Sequence, residues 1–213
     1  MGLRDDGYAH NRGQDLRGER APVTRIVAGS ARGRRLAVPR GEVTRPTSDR
    51  AREALFSTLA GLTSLANSCV LDLYAGSGAL GLEALSRGAA HALLVEGNRK
   101  VADSLQANIA SLALEGAVAV ISPVQRLAAT DPAGIPGAKS PYRIVFADPP
   151  YRMPATELSN VLADLHRVGW LGPEAILMIE RSAHDQPWVW PTPLQPIRDR
   201  RYGQALLWYG RAP

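Results

Sequence analysis

Residues 69–81 have the sequence CVLDLYAGSGALG, in which a short apolar run leads into a glycine-rich turn and then into a helical pattern. The three glycines form the spacing GxGxxG, which allows a tight turn and a close approach of a ligand to the backbone. Glu96 ends the next apolar run, 18 residues after Gly78, where a carboxylate can accept hydrogen bonds from ribose hydroxyls. The stretch therefore predicts a strand–turn–helix unit with a nucleotide-type site, and NAD would fit it.

The acidic residue of the first strand, Asp72, separates two classes of cofactor. A dinucleotide places its pyrophosphate at the N-terminus of the helix after the turn, where a carboxylate would repel it. S-adenosylmethionine has no phosphate and carries positive charge on its amino and sulfonium groups, so Asp72 favours it over NAD. Two plainer roles stay open: Asp72 could bond only to N–H groups of its own loop, and Glu96 could merely cap a helix.

The chain on either side of this stretch alternates between strand and helix patterns. Further apolar runs predict strands at 91–96, 117–121, 142–148 and 175–180, and periodic apolar positions predict helices at 79–87, 98–114 and 158–168. The ending, residues 196–210, predicts two strands joined by a tight turn near Gly203. This alternation predicts an α/β, Rossmann-like fold: a mostly parallel seven-stranded sheet with an antiparallel C-terminal hairpin.

The N-terminal part divides into segments of different character. Residues 1–22 are polar and without periodicity, which is typical of a flexible tail or extension. Residues 23–46 predict a basic β-hairpin segment, with two apolar stretches around a Gly/Ser/Arg turn. A helix is expected to begin near Thr47, because Pro46 ends what precedes it and Thr47 or Ser48 can cap. Residues 47–213 would then form the main domain.

The net charge of +5 is concentrated in one stretch of the chain. Residues 24–50 contain seven arginines against two acidic residues, Glu42 and Asp49, and seven minus two equals the whole excess. A localised cationic segment is typical of a nucleic-acid-binding protein. The alternative is a solvated basic face, because this chain uses arginine almost everywhere in place of lysine.

Length and composition exclude several classes of protein. A chain of 213 residues fits one domain with a small appendage. The sequence has no apolar run of about 18 residues and no signal peptide, so no membrane association and a cytoplasmic location are expected. The single cysteine, Cys69, excludes an internal disulfide framework, and no Cys/His cluster has metal-ligand spacing, so no metal is expected.

The tetrad Asp148-Pro149-Pro150-Tyr151 follows the fourth predicted strand and is expected to share a crevice with the glycine turn. The Asp148 carboxylate and the Pro149 carbonyl are acceptors, and Tyr151 can stack against a planar base. Two acceptors that hold both N–H bonds of an exocyclic amino group would stabilise the charge that develops on its nitrogen during methyl transfer. The tetrad therefore predicts an amino methyltransferase, and an ordinary proline turn is the alternative.

Taken together, these segments resemble a known family. LDLYAGSG at 71–78, Glu96 and DPPY at 148–151 resemble, in that order, class I methyltransferases that methylate amino groups. More specifically, RIVAGSARGRRLAVP at 25–39, RPTSDRAREALFSTL at 45–59 and LDLYAGSGALGLEALSRGA at 71–89 resemble the bacterial RsmD family. The resemblance implies methylation of the N2 amino group of one guanine in 16S ribosomal RNA, the RNA of the small ribosomal subunit.

The resemblance also implies roles for named positions. S-adenosylmethionine would be bound by Thr47, Asp49, Arg50, Asp72, Tyr74, Gly76, Ser77, Gly78, Glu96 and Ser122. The target guanine would be held by the catalytic residues Asp148, Pro149, Pro150 and Tyr151. RNA phosphates would be bound by Arg25, Arg32, Arg34, Arg35 and Arg45. The chain departs from the family at Ser122-Pro123-Val124, where a polar or acidic residue often contacts the adenine, so Ser122 or backbone groups would do so here.

The short chain leaves little room for a separate target-recognition domain. The expected partner is therefore small-subunit ribosomal RNA in a partly assembled 30S subunit, recognised by shape and phosphate contacts, and the protein is expected to be a monomer. One alternative keeps the chemistry and changes the substrate to DNA adenine or a protein glutamine. Others are a non-catalytic nucleic-acid-binding protein, and an NAD oxidoreductase, which would have to explain both Asp72 and the tetrad.

Overall fold

The computed structural model describes residues 24–38 and 49–213. The predicted N-terminal tail, residues 1–22, lies outside the described residues, as do Arg45 and Thr47. The predicted β-hairpin is present with strands of only two residues, β1 (Thr24–Arg25) and β2 (Arg35–Leu36), which pair antiparallel. Helix α1 (Asp49–Ala60) has an acidic first residue, which suits the positive end of the helix dipole.

The rest of the described chain alternates between strands and helices, as the apolar pattern predicts. In chain order the elements are β3 (Cys69–Leu73), α2 (Ala79–Ser86), β4 (His91–Glu96), α3 (Arg99–Leu112), β5 (Ala117–Ile121), α4 (Val124–Ala128), a 3-10 turn (Pro132–Gly134), β6 (Tyr142–Ala147), α5 (Ala155–Val168), β7 (Leu171–Ser182), β8 (Gln195–Tyr202) and β9 (Ala205–Arg211). The sequence pattern did not predict α4 or the 3-10 turn, because five and three residues are too few to show a helical period. Within the described residues, no helix is long and apolar enough to cross a membrane.

Seven strands form one sheet in the order β5-β4-β3-β6-β7-β9-β8. The first five run parallel, whereas β9 is antiparallel to both of its neighbours. The predicted mostly parallel seven-stranded sheet with an antiparallel C-terminal hairpin is confirmed. The pattern did not show that β9 inserts beside β7 and leaves β8 at the edge. The strand order reverses at β3, so a ligand crevice is expected beyond the carboxyl ends of β3 and β6.

The two faces of the sheet bury separate hydrophobic clusters. One face, called here the α1 face, packs against the hairpin and α1, α2 and α3, and its strand residues include Val70, Leu94, Phe146 and Met178. The opposite face packs against α4 and α5 through residues that include Leu71, Leu93, Val145 and Leu177. These residues alternate along each strand because successive side chains point to opposite faces. Complete burial of each large apolar side chain contributes about 1.5–3 kcal/mol to stability.

Helix α1 joins the hairpin to the sheet. Phe56 packs edge-on against Phe146 of β6, with ring centroids 5.7 Å apart. Arg52 is only 1% exposed, and its guanidinium donates hydrogen bonds to Thr24 Oγ1 at 3.1 Å and to Asp49 Oδ1 at 2.7 Å. A buried charge is tolerated where it is paired and hydrogen-bonded, as it is here. The start of α1 is therefore fixed to β1.

A buried carboxylate and a glycine attach the hairpin to α2. Glu83 is fully buried and accepts hydrogen bonds from the backbone N–H groups of Val27 at 2.7 Å and Ala28 at 2.8 Å. Gly29 has φ +83°, and a Cβ added there would lie 1.8 Å from the carbonyl oxygen of Ser86. Only glycine permits this approach. The hairpin is thus packed onto the main domain and presents its arginines from a fixed position.

Candidate active site

Four carboxylates lie at the carboxyl ends of neighbouring strands. Asp72, Glu96 and Glu180 belong to β3, β4 and β7, and Asp148 directly follows β6. The residue two positions before each of them lies in the α1-face cluster, so alternation directs all four side chains to that face. The strand register pairs Ala147 with Ile179, so Asp148 and Glu180 are the next residues of these two neighbouring segments. The sheet edge predicted to bind a ligand is therefore strongly acidic.

The glycine turn has the conformation that its spacing predicts. Gly78 has φ +84°, and a Cβ there would lie 2.6 Å from the Cδ1 methyl group of Leu105. A Cβ at Gly81 would lie 2.8 Å from the Cδ2 methyl group of Leu94, so this glycine allows α2 to pack closely on β4. Gly76 has φ +57° and donates its backbone N–H to Glu96. Glycine is therefore favoured at Gly76 by its positive φ, at Gly81 by close packing, and at Gly78 by both.

Asp72 combines a structural contact with an unusual charge state. The side chain is 1% exposed and accepts one hydrogen bond, from the N–H of Gly81 at 2.8 Å. Burial raises the pKa of Asp72 from 3.8 to about 7, and the negative charge of Glu96 adds to the shift while the Gly81 bond opposes it. The contact with its own loop, which the sequence left open, is therefore present. A cationic ligand beside Asp72 would favour the ionised form.

Glu96 connects the two loops of the candidate cofactor site. Its carboxylate accepts hydrogen bonds from the backbone N–H groups of Gly76 at 3.0 Å and Asn98 at 2.7 Å. Asn98 in turn caps α3, because its side chain accepts from the N–H of Lys100 at 3.0 Å. The N-cap of α3 is Asn98 rather than Glu96, and the contact of Glu96 with a ribose stays a prediction.

Ser122 lies beside the Glu96 loop, as a residue that contacts the cofactor's adenine should. Its backbone N–H donates to the Glu96 carbonyl at 3.1 Å, and its hydroxyl donates to the Pro123 carbonyl at 3.2 Å. A Cβ at Gly97 would lie 3.5 Å from Pro123 Cα, so the two loops are in van der Waals contact. The position fits the predicted role, and the contact with adenine stays a prediction.

The tetrad places acceptors and an aromatic ring at the same edge. Asp148 is half-buried, Pro149 is buried, and Tyr151 is 49% exposed. Burial raises the pKa of Asp148 well above its usual range, and the negative charges of Glu180 and Asp72 add to the effect. These electrostatic effects require Asp148 to lie near both acidic side chains. The tetrad and the glycine turn therefore lie close together at the same edge of the sheet.

Two residues outside the tetrad hold the loop that follows it. Arg181 is 8% exposed, donates from Nη1 to the Met153 carbonyl at 3.0 Å, and forms an ion pair with Asp185 at 3.0 Å. The hydroxyl of Tyr74 lies 3.4 Å from the Met153 sulfur. The family resemblance implies a cofactor contact for Tyr74, and no role was predicted for Arg181. The structure connects both side chains to the loop that carries Tyr151.

The residues predicted to close over the cofactor are described only in part. Asp49 forms ion pairs with Arg25 at 2.8 Å and with Arg52 at 2.7 Å, which ties the start of α1 to the hairpin. Arg50 is exposed. Thr47 lies outside the described residues. Closure over the cofactor by these side chains stays a prediction.

The arginines predicted to bind RNA differ in their surroundings. Arg32 and Arg35 are exposed and have no ion pair with any residue in the described ranges, so both are available to a phosphate. Arg25 is 61% exposed but paired with Asp49. Arg34 is also exposed, but its guanidinium donates to the carbonyls of Leu112 and Ser111 at the C-terminal end of α3, and its contact with RNA stays a prediction. Those carbonyls lack helical partners, and Arg34 satisfies them.

Asn108 connects the hairpin to the cofactor loop and was not predicted. Its side-chain amide exchanges hydrogen bonds with the backbone of Ala37, at 2.8 Å and 2.9 Å, and donates to the Ser77 carbonyl at 2.9 Å. Asn108 is 3% exposed. No sequence signal separates this asparagine from a solvent-facing one on the same helix. Asn108 therefore connects the basic hairpin directly to the glycine turn through hydrogen bonds.

The charged groups around the glycine turn fit a cationic cofactor. Residues 72–81 contain no lysine, arginine or histidine to balance a pyrophosphate, and the carboxylates of Asp72 and Glu96 flank the turn. These groups match the amino and sulfonium charges of S-adenosylmethionine and the ribose hydroxyls that Glu96 is predicted to bind. No group of three or more potential metal ligands occurs among residues 24–38 and 49–213.

Comparisons with known proteins identify the family of this chain. The family described as Conserved hypothetical protein 95 matches residues 24–211. Ribosomal RNA small subunit methyltransferase D from Escherichia coli K12 is 43% identical over 162 residues, which are 76% of each chain. The Haemophilus influenzae protein of the same name is 34% identical over 179 residues, covering 84% of this chain and 89% of the relative. A solved structure described as a putative methyltransferase from Escherichia coli has a TM-score of 0.76 and 36% identity, covering 89% of this chain and 98% of that one.

The family match includes the hairpin, the glycine turn, Glu96 and the tetrad, which are the segments from which the resemblance was first drawn. Its length, from β1 to the end of β9, spans both layers of helices and the whole sheet. The chain therefore belongs to the Conserved hypothetical protein 95 family, the RsmD family of methyltransferases.

Proposed function

We propose that this protein transfers a methyl group from S-adenosylmethionine to the exocyclic N2 amino group of one guanine in 16S ribosomal RNA. The observation that carries the proposal is the position of Asp148, half-buried at the same sheet edge as Asp72 and the glycine turn. The relatives named above are ribosomal RNA small subunit methyltransferases, which supports ribosomal RNA as the substrate.

The residues at the crevice would act by holding the amino group. S-adenosylmethionine, when bound, supplies the methyl group and leaves as S-adenosylhomocysteine, and the methylated nitrogen releases one of its two protons. The Asp148 carboxylate and the Pro149 carbonyl accept hydrogen bonds from the two N–H bonds, which turns the nitrogen lone pair out of conjugation and stabilises the positive charge that develops there. Tyr151, half-exposed beside them, stacks on the guanine ring. Correct positioning of the two reactants supplies much of the rate acceleration.

The state of Asp148 suits this role. Its pKa is raised by burial and by Glu180 and Asp72, so a ligand that donates hydrogen bonds to its oxygens stabilises the ionised form that the free protein disfavours. The same holds for Asp72 and a cationic cofactor. A cationic cofactor beside Asp72 would offset part of the negative charge that raises the pKa of Asp148, and would favour the ionised Asp148 that accepts hydrogen bonds from the amino group.

The RNA would be recognised as a folded object. The exposed Arg32 and Arg35 on the fixed hairpin supply phosphate contacts, which position the protein and carry no sequence information themselves. Selection of one guanine would then depend on the shape of the RNA in a partly assembled 30S subunit. The target base would be unstacked to reach the tetrad. We propose that the protein acts as a monomer in the cytoplasm.

Methyl transfer from labelled S-adenosylmethionine to small ribosomal subunits from a strain that lacks this enzyme tests the proposal. Nucleoside analysis of the extracted RNA is expected to give N2-methylguanosine at a single site. Matched reactions contain naked 16S ribosomal RNA, double-stranded DNA and total ribosomal protein. Label in N6-methyladenosine of DNA or in glutamine of a protein would replace the proposed substrate with that one. Absence of transfer to RNA in every form would reject the proposal.

A further inference from the structure

Strand β8 carries a row of arginines at the exposed edge of the sheet. In the segment Arg198-Asp199-Arg200-Arg201, all four residues are exposed. Side chains alternate between faces, so Arg198 and Arg200 share one face and Asp199 lies on the other. Arg198 pairs with Tyr209 and Arg200 with Leu207, two residues of the α1-face cluster. The sheet thus separates two positive charges from the acidic residue between them.

The charges also act on the α1 face. Burial raises the pKa of Tyr209 to about 12, while the positive charges of Arg200 and Arg198 act in the opposite direction. Such an effect requires both guanidinium groups to lie near the Tyr209 hydroxyl, in agreement with the face that the strand pairing gives them. This is the face that carries the catalytic tetrad's Asp148. Arg198, Arg200 and Asp148 therefore lie on the same face of the sheet.

The strand register aligns Arg200 with the active site. Asp148 and Glu180 directly follow the paired Ala147 and Ile179, Glu180 pairs with Leu207, and Leu207 pairs with Arg200. Three strand spacings separate Asp148 from Arg200, which is about 14 Å along the hydrogen-bonding direction. Strand β8 runs parallel to β6, because β9 is antiparallel to both β7 and β8. Its carboxyl end therefore lies at the same edge of the sheet as the crevice.

Neither arginine is neutralised within the described part of the chain. Arg211 pairs with Glu174 and Arg181 with Asp185, but Arg198 and Arg200 form no ion pair with any described residue. Arg198 and Arg200 are two positions apart on the strand, so their Cα atoms are about 7 Å apart. This distance is comparable with the separation of consecutive phosphates in an RNA strand. Unpaired guanidinium groups bind phosphates by paired, charge-assisted hydrogen bonds.

We propose that Arg198 and Arg200 of β8 form a second phosphate-binding surface, which holds the RNA backbone beside the target guanine on the side of the site opposite to the hairpin. This inference rests on the proposed function and adds an interface that the basic N-terminal segment does not supply. The hairpin arginines and β8 would then grip the RNA on both sides of the crevice. Binding on two sides would fix the direction in which the strand crosses the tetrad.

Edge strands also carry charges that prevent pairing with other chains. That protective role needs charge of either sign, whereas phosphate binding needs positive charge. Replacement by glutamate therefore separates the two, because Arg198→Glu/Arg200→Glu keeps the edge charged and reverses its sign. The variant is expected to remain monodisperse and to lose RNA binding. A monodisperse glutamate variant with wild-type affinity for RNA would leave only edge protection and would overturn the proposal.

The test measures dissociation constants for small ribosomal subunits over a series of salt concentrations. The variant Arg198→Gln/Arg200→Gln is expected to bind about tenfold more weakly, and its slope of log affinity against log salt should be smaller by about 1.5, since each lost phosphate contact removes about 0.7–0.9. The matched control, Arg126→Gln/Arg167→Gln, removes two exposed arginines from α4 and α5 on the opposite face. The control should retain wild-type affinity and slope.

Kinetics on the same particles complete the test. The β8 variant is expected to raise KM for the particle about tenfold, with kcat and affinity for S-adenosylmethionine within about twofold of wild type, because uniform binding is lost and the chemistry is untouched. Wild-type KM and salt slope in the β8 variant would overturn this inference while the proposed function stands. Failure of the wild-type protein to bind or methylate the particles would overturn both.

Discussion

Arg181 on β7 donates a hydrogen bond from Nη1 to the backbone carbonyl of Met153 at 3.0 Å, and this contact joins the sheet to the loop that follows the tetrad. The N–H of Met153 in turn donates to the Pro150 carbonyl at 2.8 Å, which closes the turn that carries Tyr151. An ion pair with Asp185 holds the Arg181 side chain in place. Arg181 is therefore a positioning residue for the ring proposed to stack on the target base.

Replacement of Arg181 should affect the target site more than the cofactor site. We expect Arg181→Ala to lower kcat about tenfold, since a misplaced catalytic loop loses part of the gain from orientation. Affinity for S-adenosylmethionine, measured by calorimetry, should stay within about twofold. Arg181→Lys keeps one donor for the Met153 carbonyl and should recover part of the rate. Equal losses of kcat and cofactor affinity in the alanine variant would indicate a general structural role instead.

Asp72 should destabilise the free protein at neutral pH. Its pKa is 3.8 ordinarily and about 7 in the fold, so between these values the folded state binds more protons than the unfolded state. The free energy of unfolding therefore falls as pH rises from about 4 to about 7. We expect Asp72→Asn, which removes this effect, to be more stable at pH 8 by about 1–4 kcal/mol. Urea denaturation at pH 4 and pH 8 tests this, and an advantage of equal size at both values would contradict it.

Cofactor binding should release a proton from Asp72. At pH 6 the free carboxyl is mostly protonated, because its pKa is raised to about 7, and a cationic ligand beside it favours ionisation. Affinity for S-adenosylmethionine is therefore expected to rise as pH increases through about 7. Calorimetry at pH 6 in buffers with different ionisation enthalpies should show a released proton for the wild type and a smaller release for Asp72→Asn. Equal release by both proteins would show that Asp72 does not face the cofactor.

Two glycines of the hairpin offer a matched test of its packing. Gly29 and Gly33 have φ values of +83° and +82°, but an added Cβ would meet the Ser86 carbonyl only at Gly29 and nothing within 4 Å at Gly33. Gly33→Ala should cost about 1–2 kcal/mol from backbone strain alone. Gly29→Ala should displace the hairpin from α2 and weaken RNA binding about tenfold or more.

Thermal unfolding and RNA affinity measured on both variants separate strain from displacement. Similar RNA affinities for Gly29→Ala and Gly33→Ala would mean that the position of the hairpin does not matter for RNA binding. Affinity for S-adenosylmethionine is a second readout: Asn108 links the hairpin to the glycine turn, so a small loss is expected in Gly29→Ala and none in Gly33→Ala.

The parallel part of the fold could be predicted because each strand is a continuous apolar run that ends in turn or acidic residues. The run CVLDL and the GxGxxG spacing are sufficient to place β3, the turn and α2. The position of β9 between β7 and β8 could not be predicted, because both strand orders satisfy the same alternation. The basic surface on β8 was missed for the same reason: the direction and edge position of that strand follow from the insertion of β9.

The site residues that the sequence missed are polar groups whose partners lie far along the chain. Asn108 contacts Ala37 across 71 residues, and Glu83 contacts Val27 across 56. A local pattern cannot distinguish such side chains from solvated ones on an amphipathic helix. Arg34 is the opposite case. Its charge predicted a contact with an RNA phosphate, whereas its guanidinium donates a hydrogen bond to the Leu112 carbonyl at the end of α3. The number of charged residues thus identifies a basic segment, but it does not show which of its arginines are already hydrogen-bonded within the protein.

The rate of methyl transfer by Asp148→Ala, measured together with its affinity for S-adenosylmethionine, tests the proposed chemistry most directly. Loss of an acceptor that acts on developing charge should lower the rate by about 100-fold or more, while the cofactor dissociation constant changes by less than about threefold. Asp148→Asn keeps one acceptor oxygen and should retain part of the activity. An Asp148→Ala protein that methylates small ribosomal subunits at the wild-type rate would contradict the assignment of the tetrad as the catalytic centre.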